Sequence, residues 1–216
     1  STGVNVHMRI DGAAANDSII GPRDVGDVNG DGLHDILVRA NTASPAGRSN
    51  AGSAWIVFGS ATAKTVDLAS LGTNGYQIMG ASSGDNFGQT GLSMGDVNGD
   101  GLADVAIGAR NASNNGRASS GSVYVIFGKS TTTTIDTASL GSNGYRIDGA
   151  ASNTYFGSRI GTGDVNGDGK VDVIVGTEAS GALVLLNQGN AALQLGGAQG
   201  GNVRLAYPTL VDLNRD

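Results

Sequence analysis

The sequence predicts an all-β fold of four-stranded antiparallel blades, about three of them with flanking strands. Three observations carry that prediction. Short runs rich in Val, Ile and aromatic residues alternate with Gly and Asn, and 37 of the 216 residues are Gly against only 3 Pro. Such runs, bounded by turn formers, read as strands, and no stretch keeps the 3.6-residue apolar period of a helix. The chain also repeats itself. The pattern D-x-N-x-D-G-x-x-D starts at Asp27, Asp96 and Asp164, 69 and 68 residues apart.

The repeat extends well past that pattern. Gly52-Ser53-Ala54-Trp55-Ile56-Val57-Phe58-Gly59 returns as Gly121-Ser122-Val123-Tyr124-Val125-Ile126-Phe127-Gly128. Asp67-Leu68-Ala69-Ser70-Leu71-Gly72 returns as Asp136-Thr137-Ala138-Ser139-Leu140-Gly141, and Asn74 to Gly80 returns as Asn143 to Gly149. Each unit is expected to hold four strands: one entering the Asp-rich loop (Thr90 to Gly95; Ser158 to Gly163), one leaving it (Asp104 to Gly108; Asp172 to Gly176), a third over Val123 to Phe127, and a fourth over Tyr145 to Asp148. Asp67 to Leu71 reads as a single helical turn. Tandem four-stranded antiparallel units are the blades of a β-propeller. The divisions that follow are 1–15 as the last strand of a preceding blade, 16–80, 81–149 and 150–206 as blades, and 207–216 as the start of another. Met8 to Ala14 mirrors Tyr145 to Ala151, the end of a blade. Propellers close with four to eight blades. This count therefore predicts either part of a longer chain or edge strands that complete a blade in another copy.

The loops place oxygen donors at positions 1, 3, 5 and 9, with Gly32, Gly101 and Gly169 at position 6, where the chain must turn sharply. A hard cation such as Ca²⁺ takes six to eight such oxygens. The expected ligands are Asp27, Asn29, Asp31, Asp35 and the Leu33 carbonyl; Asp96, Asn98, Asp100, Asp104 and the Leu102 carbonyl; and Asp164, Asn166, Asp168, Asp172 and the Lys170 carbonyl. An EF-hand needs a bidentate Glu at position 12, where this chain has Val38, Ile107 and Val175, so that reading is rejected. A metal-free Asp/Asn/Gly turn explains one copy, but three leave the repulsion between carboxylates unrelieved. Asp212, Asn214 and Asp216 form a partial fourth loop without its Gly and last carboxylate, a site only if another segment completes it.

These residues resemble the FG-GAP repeat family, the integrin-α type. Phe87-Gly88 and Phe156-Gly157 match its "FG"; Ile107-Gly108-Ala109 and Val175-Gly176-Thr177 fall at its "GAP", without the Pro. The first unit has Ile20-Gly21 and Val38-Arg39-Ala40 at those places. The third lacks the Asp-x-x-x-Leu-Gly segment and continues GNAALQLGG, closer to the related VCBS-type repeat. The resemblance implies a β-propeller whose calcium loop joins the innermost strand of a blade to the next strand out, in modules that mostly bind or scaffold.

Composition narrows the function further. Net charge is -6, from 13 basic and 19 acidic residues, and nine of the acids sit in the three loops, so bound cations would cancel much of the excess. No basic patch invites nucleic acid, and no apolar run approaches the roughly 18 residues of a membrane-spanning helix. Cysteine is absent, which removes disulfides and thiolate metal sites. The N-terminus lacks a signal peptide's basic and apolar regions, so a secreted form is expected to be mature or excised. Catalysis has little to stand on: the two histidines, His7 and His34, lie in different contexts, and there is no G-x-S-x-G elbow. Trp55, Tyr124, Phe58 and Phe127 read as inter-blade core rather than a ligand platform. The sequons at Asn16 and Asn111 are surface-loop features. The expected role is a non-catalytic, calcium-binding structural or adhesive module at the cell surface or secreted, with another protein, further copies of itself or a glycan as partner. Two alternatives stand beside it: a subunit that self-assembles by strand exchange into rings or filaments, and an accessory or carbohydrate-binding domain of a secreted hydrolase.

Overall fold

A computed structural model describes residues 8–15, 17–178, 181–189, 193–195 and 213–214. Its strands are β1 (Met8–Asp11), β2 (Ile20–Gly26), β3 (Asp35–Ala40), β4 (Ser53–Val57), β5 (Lys64–Asp67), β6 (Gly75–Met79), β7 (Phe87–Gly95) and β8 (Asp104–Ala109). There follow β9 (Ser122–Ile126), β10 (Ile135–Asp136), β11 (Gly144–Asp148), β12 (Arg159–Gly163), β13 (Asp172–Gly176), β14 (Ala182–Asn187), β15 (Leu193–Leu195) and β16 (Leu213–Asn214). The described residues hold no α-helix, and the fold is an open array of antiparallel blades.

Blade 1 is β2-β3-β4-β6, blade 2 is β7-β8-β9-β11 and blade 3 is β12-β13-β14-β15, each antiparallel from strand to strand. The strands β2, β7 and β12 lie side by side at one edge of the three sheets. Ser93 Oγ on β7 donates to Val25 O on β2 at 2.8 Å, and Thr162 Oγ1 on β12 donates to Ser93 O at 3.3 Å.

The four-strand reading misses one feature. The Asp-x-x-x-Leu-Gly segment leaves its own blade and laps onto the previous one. β5 pairs in parallel with β1, and β10 pairs in parallel with β6, Ile135 against Ile78 and Asp136 against Met79. The expected helical turn at Asp67 is the end of that lap, closed by Ser70 N–H donating to Asp67 O at 3.1 Å and Ala69 N–H to Asp67 Oδ1 at 2.9 Å. Arg48 fastens the second lap: its guanidinium reaches both oxygens of Asp136 at 2.9 and 3.0 Å and donates to Ala81 O at 3.0 Å. At the edge of blade 2, β16 pairs antiparallel with β11 instead.

The core lies between blades. Every residue of β4 and β9 is buried, because each sheet packs on both faces; this is why SAWIV and SVYVI read as unbroken apolar runs rather than alternating ones. Ile56, Tyr76 and Ile78 of blade 1 meet Phe87, Ile107 and Tyr124 of blade 2. Val123, Val125 and Ile147 of blade 2 meet Phe156, Val173 and Val175 of blade 3. Trp55 and Val57 pack with Val66 and Leu68 of the lap and with Met8 and Ile10 of β1. Trp55, Tyr124 and Phe58 are therefore core. Phe127 is half-buried, edge-on to Tyr145 with centroids 6.0 Å apart.

Each junction is closed by a backbone clasp. Phe87 N–H donates to Ala51 O at 2.9 Å, and Phe156 N–H to Ser120 O at 2.9 Å. The approach needs glycine. A Cβ on Gly52 would fall 2.0 Å from Phe87 O, and one on Gly121 would fall 2.2 Å from Phe156 O, with φ at +89° and +77°. A side-chain donor reinforces each clasp, and the two donors differ. Between blades 1 and 2 the buried Arg39 guanidinium donates to Gly88 O at 3.4 Å, Gln89 O at 3.3 Å and Gly21 O at 3.4 Å. Between blades 2 and 3, Thr90 Oγ1 donates to Gly157 O at 2.8 Å. Gly108, which holds Arg39's place in blade 2, has no room for a side chain: a Cβ there would meet Gly157 O at 2.2 Å and Thr90 Oγ1 at 2.4 Å.

Candidate metal centres

Each Asp-rich loop links the edge strand of a blade to the next: β2 to β3, β7 to β8, β12 to β13. The local fold follows from the first aspartate. Asp27 Oδ1 accepts the N–H groups of Gly30 (2.7 Å) and Asp31 (3.1 Å), and Oδ2 accepts that of Gly32 (2.8 Å). Asp96 holds Gly99, Asp100 and Gly101 at 2.6, 3.1 and 2.8 Å, and Asp164 holds Gly167, Asp168 and Gly169 at 2.7, 3.1 and 2.9 Å. The loop is wound around that carboxylate. Asn29 Oδ1 then accepts Asp31 N–H at 2.8 Å, and Asp31 Oδ1 accepts Leu33 N–H at 2.8 Å. Loops 2 and 3 repeat both bonds.

Two glycines per loop make the winding possible, not the single position 6 that the pattern singled out. Gly30 and Gly32 have φ of +81° and +85°, in the left-handed region that side chains disfavour. Around Gly32 there is open space, so the dihedral and not crowding demands glycine there.

Position 9 differs from positions 1, 3 and 5 in its burial. Asp35, Asp104 and Asp172 begin the outgoing strands and are fully buried. Asp35 Oδ2 accepts Val28 N–H and its Oδ1 accepts Gly59 N–H, both at 2.8 Å. Asp104 does the same with Val97 and Gly128, and Asp172 with Val165 and Asn187, all at 2.8 Å. Each pins the loop's second residue to the end of the third strand of its blade. Burial pushes the Asp104 carboxyl up to about 6, against the pull of the Gly128 and Val97 amides and with help from Asp100 and Asp96. Asp35 is raised for the same reasons. Burial also works against ionisation of Asp27, but its loop amides outweigh it and hold the carboxyl below its ordinary value.

The donor set fits a hard divalent cation. Each loop offers three carboxylates, one amide oxygen and one backbone carbonyl, with no sulfur and no imidazole in the set. In Asp27, Asp96 and Asp164 the Oδ1 atom accepts two N–H groups and the Oδ2 atom one, so Oδ2 keeps a lone pair for a cation. The oxygens are not drawn to a common point: among the described residues no three carboxylate or imidazole side chains converge as a ligand group. Positions 1, 3 and 5 are linked to one another through loop amides, and position 9 is the buried member of the set.

Neighbouring loops also touch, which the pattern does not signal. Ala103 N–H, in loop 2, donates to Asp27 O in loop 1 at 2.8 Å, and Leu102 lies 3.0 Å from where a Cβ on Gly30 would stand. His34 is exposed; its Nδ1 lies 3.0 Å from both oxygens of Asp24, and that hydrogen bond raises its pKa. His7, Asp212, Asp216 and the sequon at Asn16 lie outside the described residues, and of Asn214 only its backbone pairing is described. At the other sequon, Asn111 Nδ2 donates to Asn86 Oδ1, so the glycan-acceptor nitrogen is engaged.

Residues 24–57, 79–126 and 156–203, more than half of the chain, match the FG-GAP repeat. The chain belongs to the FG-GAP repeat family. The third match runs through the unit that departs most from the other two. No curated protein matches the chain. FG-GAP repeats form β-propeller-type modules that are typically extracellular and generally structural or adhesive rather than catalytic. No helix among the described residues is long and apolar enough to cross a membrane.

Proposed function

We propose that this FG-GAP chain is a calcium-stabilised, non-catalytic binding or scaffolding module that works outside the cell. One observation carries the reading. The same all-oxygen loop, wound around its first aspartate and pinned by its ninth, occurs at the same place in three blades. Bound calcium would supply charge neutralisation to three carboxylates that otherwise repel one another. The protein's own part is to hold the loop. Asp27, Asn29, Asp31, Asp35 and the Leu33 carbonyl would bind in the first site. Asp96, Asn98, Asp100, Asp104 and the Leu102 carbonyl would bind in the second, and Asp164, Asn166, Asp168, Asp172 and the Lys170 carbonyl in the third. Because Asp35 also holds Gly59 N–H, order in the loop passes to the end of β4.

The test is thermal unfolding in calcium and in EDTA. A site at about 100 times its Kd adds about 2.7 kcal/mol, roughly 5–11 °C for a chain of this size. The Tm is expected to fall by at least that much in EDTA and to recover when calcium is restored. An unchanged Tm sinks the reading.

Self-assembly is the second reading, and the laps favour it: outer strands here already accept a parallel strand from a different repeat unit. Sizing and electron microscopy with calcium present decide it, and a strictly monomeric particle counts against it.

A further inference from the structure

The three loops share a pattern, but the third carries a cation of its own. Position 7 is Leu33 in loop 1, Leu102 in loop 2 and Lys170 in loop 3. Lys170 Nζ lies 3.5 Å from Oδ2 of Asp168, the position-5 carboxylate, and both side chains are partly exposed. In loops 1 and 2 the corresponding oxygens, Asp31 Oδ2 and Asp100 Oδ2, receive only the neutral amides of Asn29 and Asn98, at 3.0 and 2.8 Å. Asp168 receives the Asn166 amide as well, at 3.2 Å, so the ammonium is an addition and not a replacement.

Loop 3 also stands more alone. Loops 1 and 2 are joined by the bond from Ala103 N–H to Asp27 O. Among the described residues, no amide of loop 3 donates to a carbonyl of loop 2. The nearest approach at Gly95 is the Val171 methyl, 3.8 Å from where a Cβ would stand.

We infer that Lys170 makes the third loop the weakest of three calcium sites, so that blade 3 loosens as calcium falls while blades 1 and 2 stay loaded. This rests on the calcium reading above. The ammonium repels an incoming divalent cation, and the cation must compete with it for Asp168. Repulsion scales with the product of the charges, which is doubled for a divalent ion, and water and salt screen the exposed ammonium, so the ion should bind about tenfold or more weakly than at loops 1 and 2. The effect of losing the ion is local. Asp172 ties loop 3 to Asn187 at the end of β14, within blade 3.

The test is a calcium titration of the chelator-stripped full chain by calorimetry, with Lys170→Leu and Lys170→Gln beside it. Two tight sites and one at least tenfold weaker are expected. Both variants should bring the weak site to within about threefold of the others, and Asp164→Asn should delete the weak phase alone. Three equal sites in the unaltered chain, or a weak phase that survives both Lys170 variants, overturns the inference and leaves the calcium reading standing. No calcium uptake at all overturns both. Hydrogen exchange adds an independent readout: at intermediate calcium, the amides of β13 and β14 should exchange faster while those of β3, β4, β8 and β9 stay protected.

Discussion

The junction between blades 1 and 2 and the junction between blades 2 and 3 share one backbone clasp and close it with different side chains. In the first a guanidinium on β3 reaches across; in the second a hydroxyl on β7 does, and the position of the guanidinium is a glycine. The carbonyl that receives them is the same place in the repeat, Gly88 O in one and Gly157 O in the other. Their entrances differ too. Asp85, buried before the first clasp, accepts Ser82 N–H, whereas Thr154 at the matching place before the second donates its hydroxyl to Ala151 O and Ser120 O. The repeat thus fixes backbone approach and leaves the side-chain donor free to vary. Donor type is a local solution, while the glycines are obligatory.

The sharpest way to break that statement is at the glycines. Gly52→Ala should cost about 4 kcal/mol or prevent folding, because it combines a left-handed φ with a Cβ inside the Phe87 backbone. Gly84→Ala has a similar φ, +84°, in open space, and should cost only about 1–2 kcal/mol. Equal denaturant midpoints for the two would remove close approach as the reason for Gly52.

The donors come next. Arg39→Ala should cost about 2–3 kcal/mol, since a buried charged donor to three carbonyls is lost. Thr90→Val removes one neutral donor at near-constant shape and should cost about 1 kcal/mol. A larger loss for Thr90→Val than for Arg39→Ala would reverse the ranking.

The entrance to the first junction should respond to pH. Burial pushes the Asp85 carboxyl up to about 6 from 3.8, against the Ser82 amide and the Arg146 charge. A raised carboxyl pKa means the folded state holds the proton more tightly. That stabilisation is full below about pH 4 and is lost as pH rises through 6. Asp85→Asn, which keeps an acceptor for Ser82, should therefore be more stable than the unaltered chain by on the order of 1 kcal/mol at pH 7. The gap should close toward pH 4. A gap that widens on acidification contradicts the assignment.

The smallest effect belongs to the lap. Arg48→Ala should lower overall stability by only about 0.5–1 kcal/mol, because the Asp136 carboxylate is partly exposed. It should still speed amide exchange over Ile135–Asp136 without touching β4. Unaltered exchange there would show that strand pairing alone secures the lap.

Much of this architecture was legible in the residues. The Asp27, Asp96 and Asp164 loops mark their hairpins because Gly at defined offsets and a strand-starting Asp leave the chain little choice. The runs at Trp55 and Tyr124 were readable as core because both faces of those strands are apolar. The laps were not. Lys64–Asp67 and Ile135–Asp136 are too short to show a period, and nothing in a four- or two-residue run says that its partner is a parallel strand of the preceding unit. Arg39 was hidden for another reason: a charged residue on a strand reads as surface, and it takes the Gly88 and Gln89 carbonyls of the neighbouring blade, with Gly21 O of its own, to make its burial tolerable. At the loops, donor types could be listed from the pattern, but the burial of Asp35, Asp104 and Asp172 depends on where Gly59, Gly128 and Asn187 sit, residues 24, 24 and 15 positions away.

The laps have a consequence for how the chain is made. Ile78 and Met79 receive their parallel partners 57 residues later, at Ile135 and Asp136. On a ribosome adding about 5–20 residues per second, that interval is roughly 3–11 s. Throughout it, blade 1 presents an unpaired outer strand to every other nascent chain. Vectorial synthesis therefore always runs one unit ahead of completed structure.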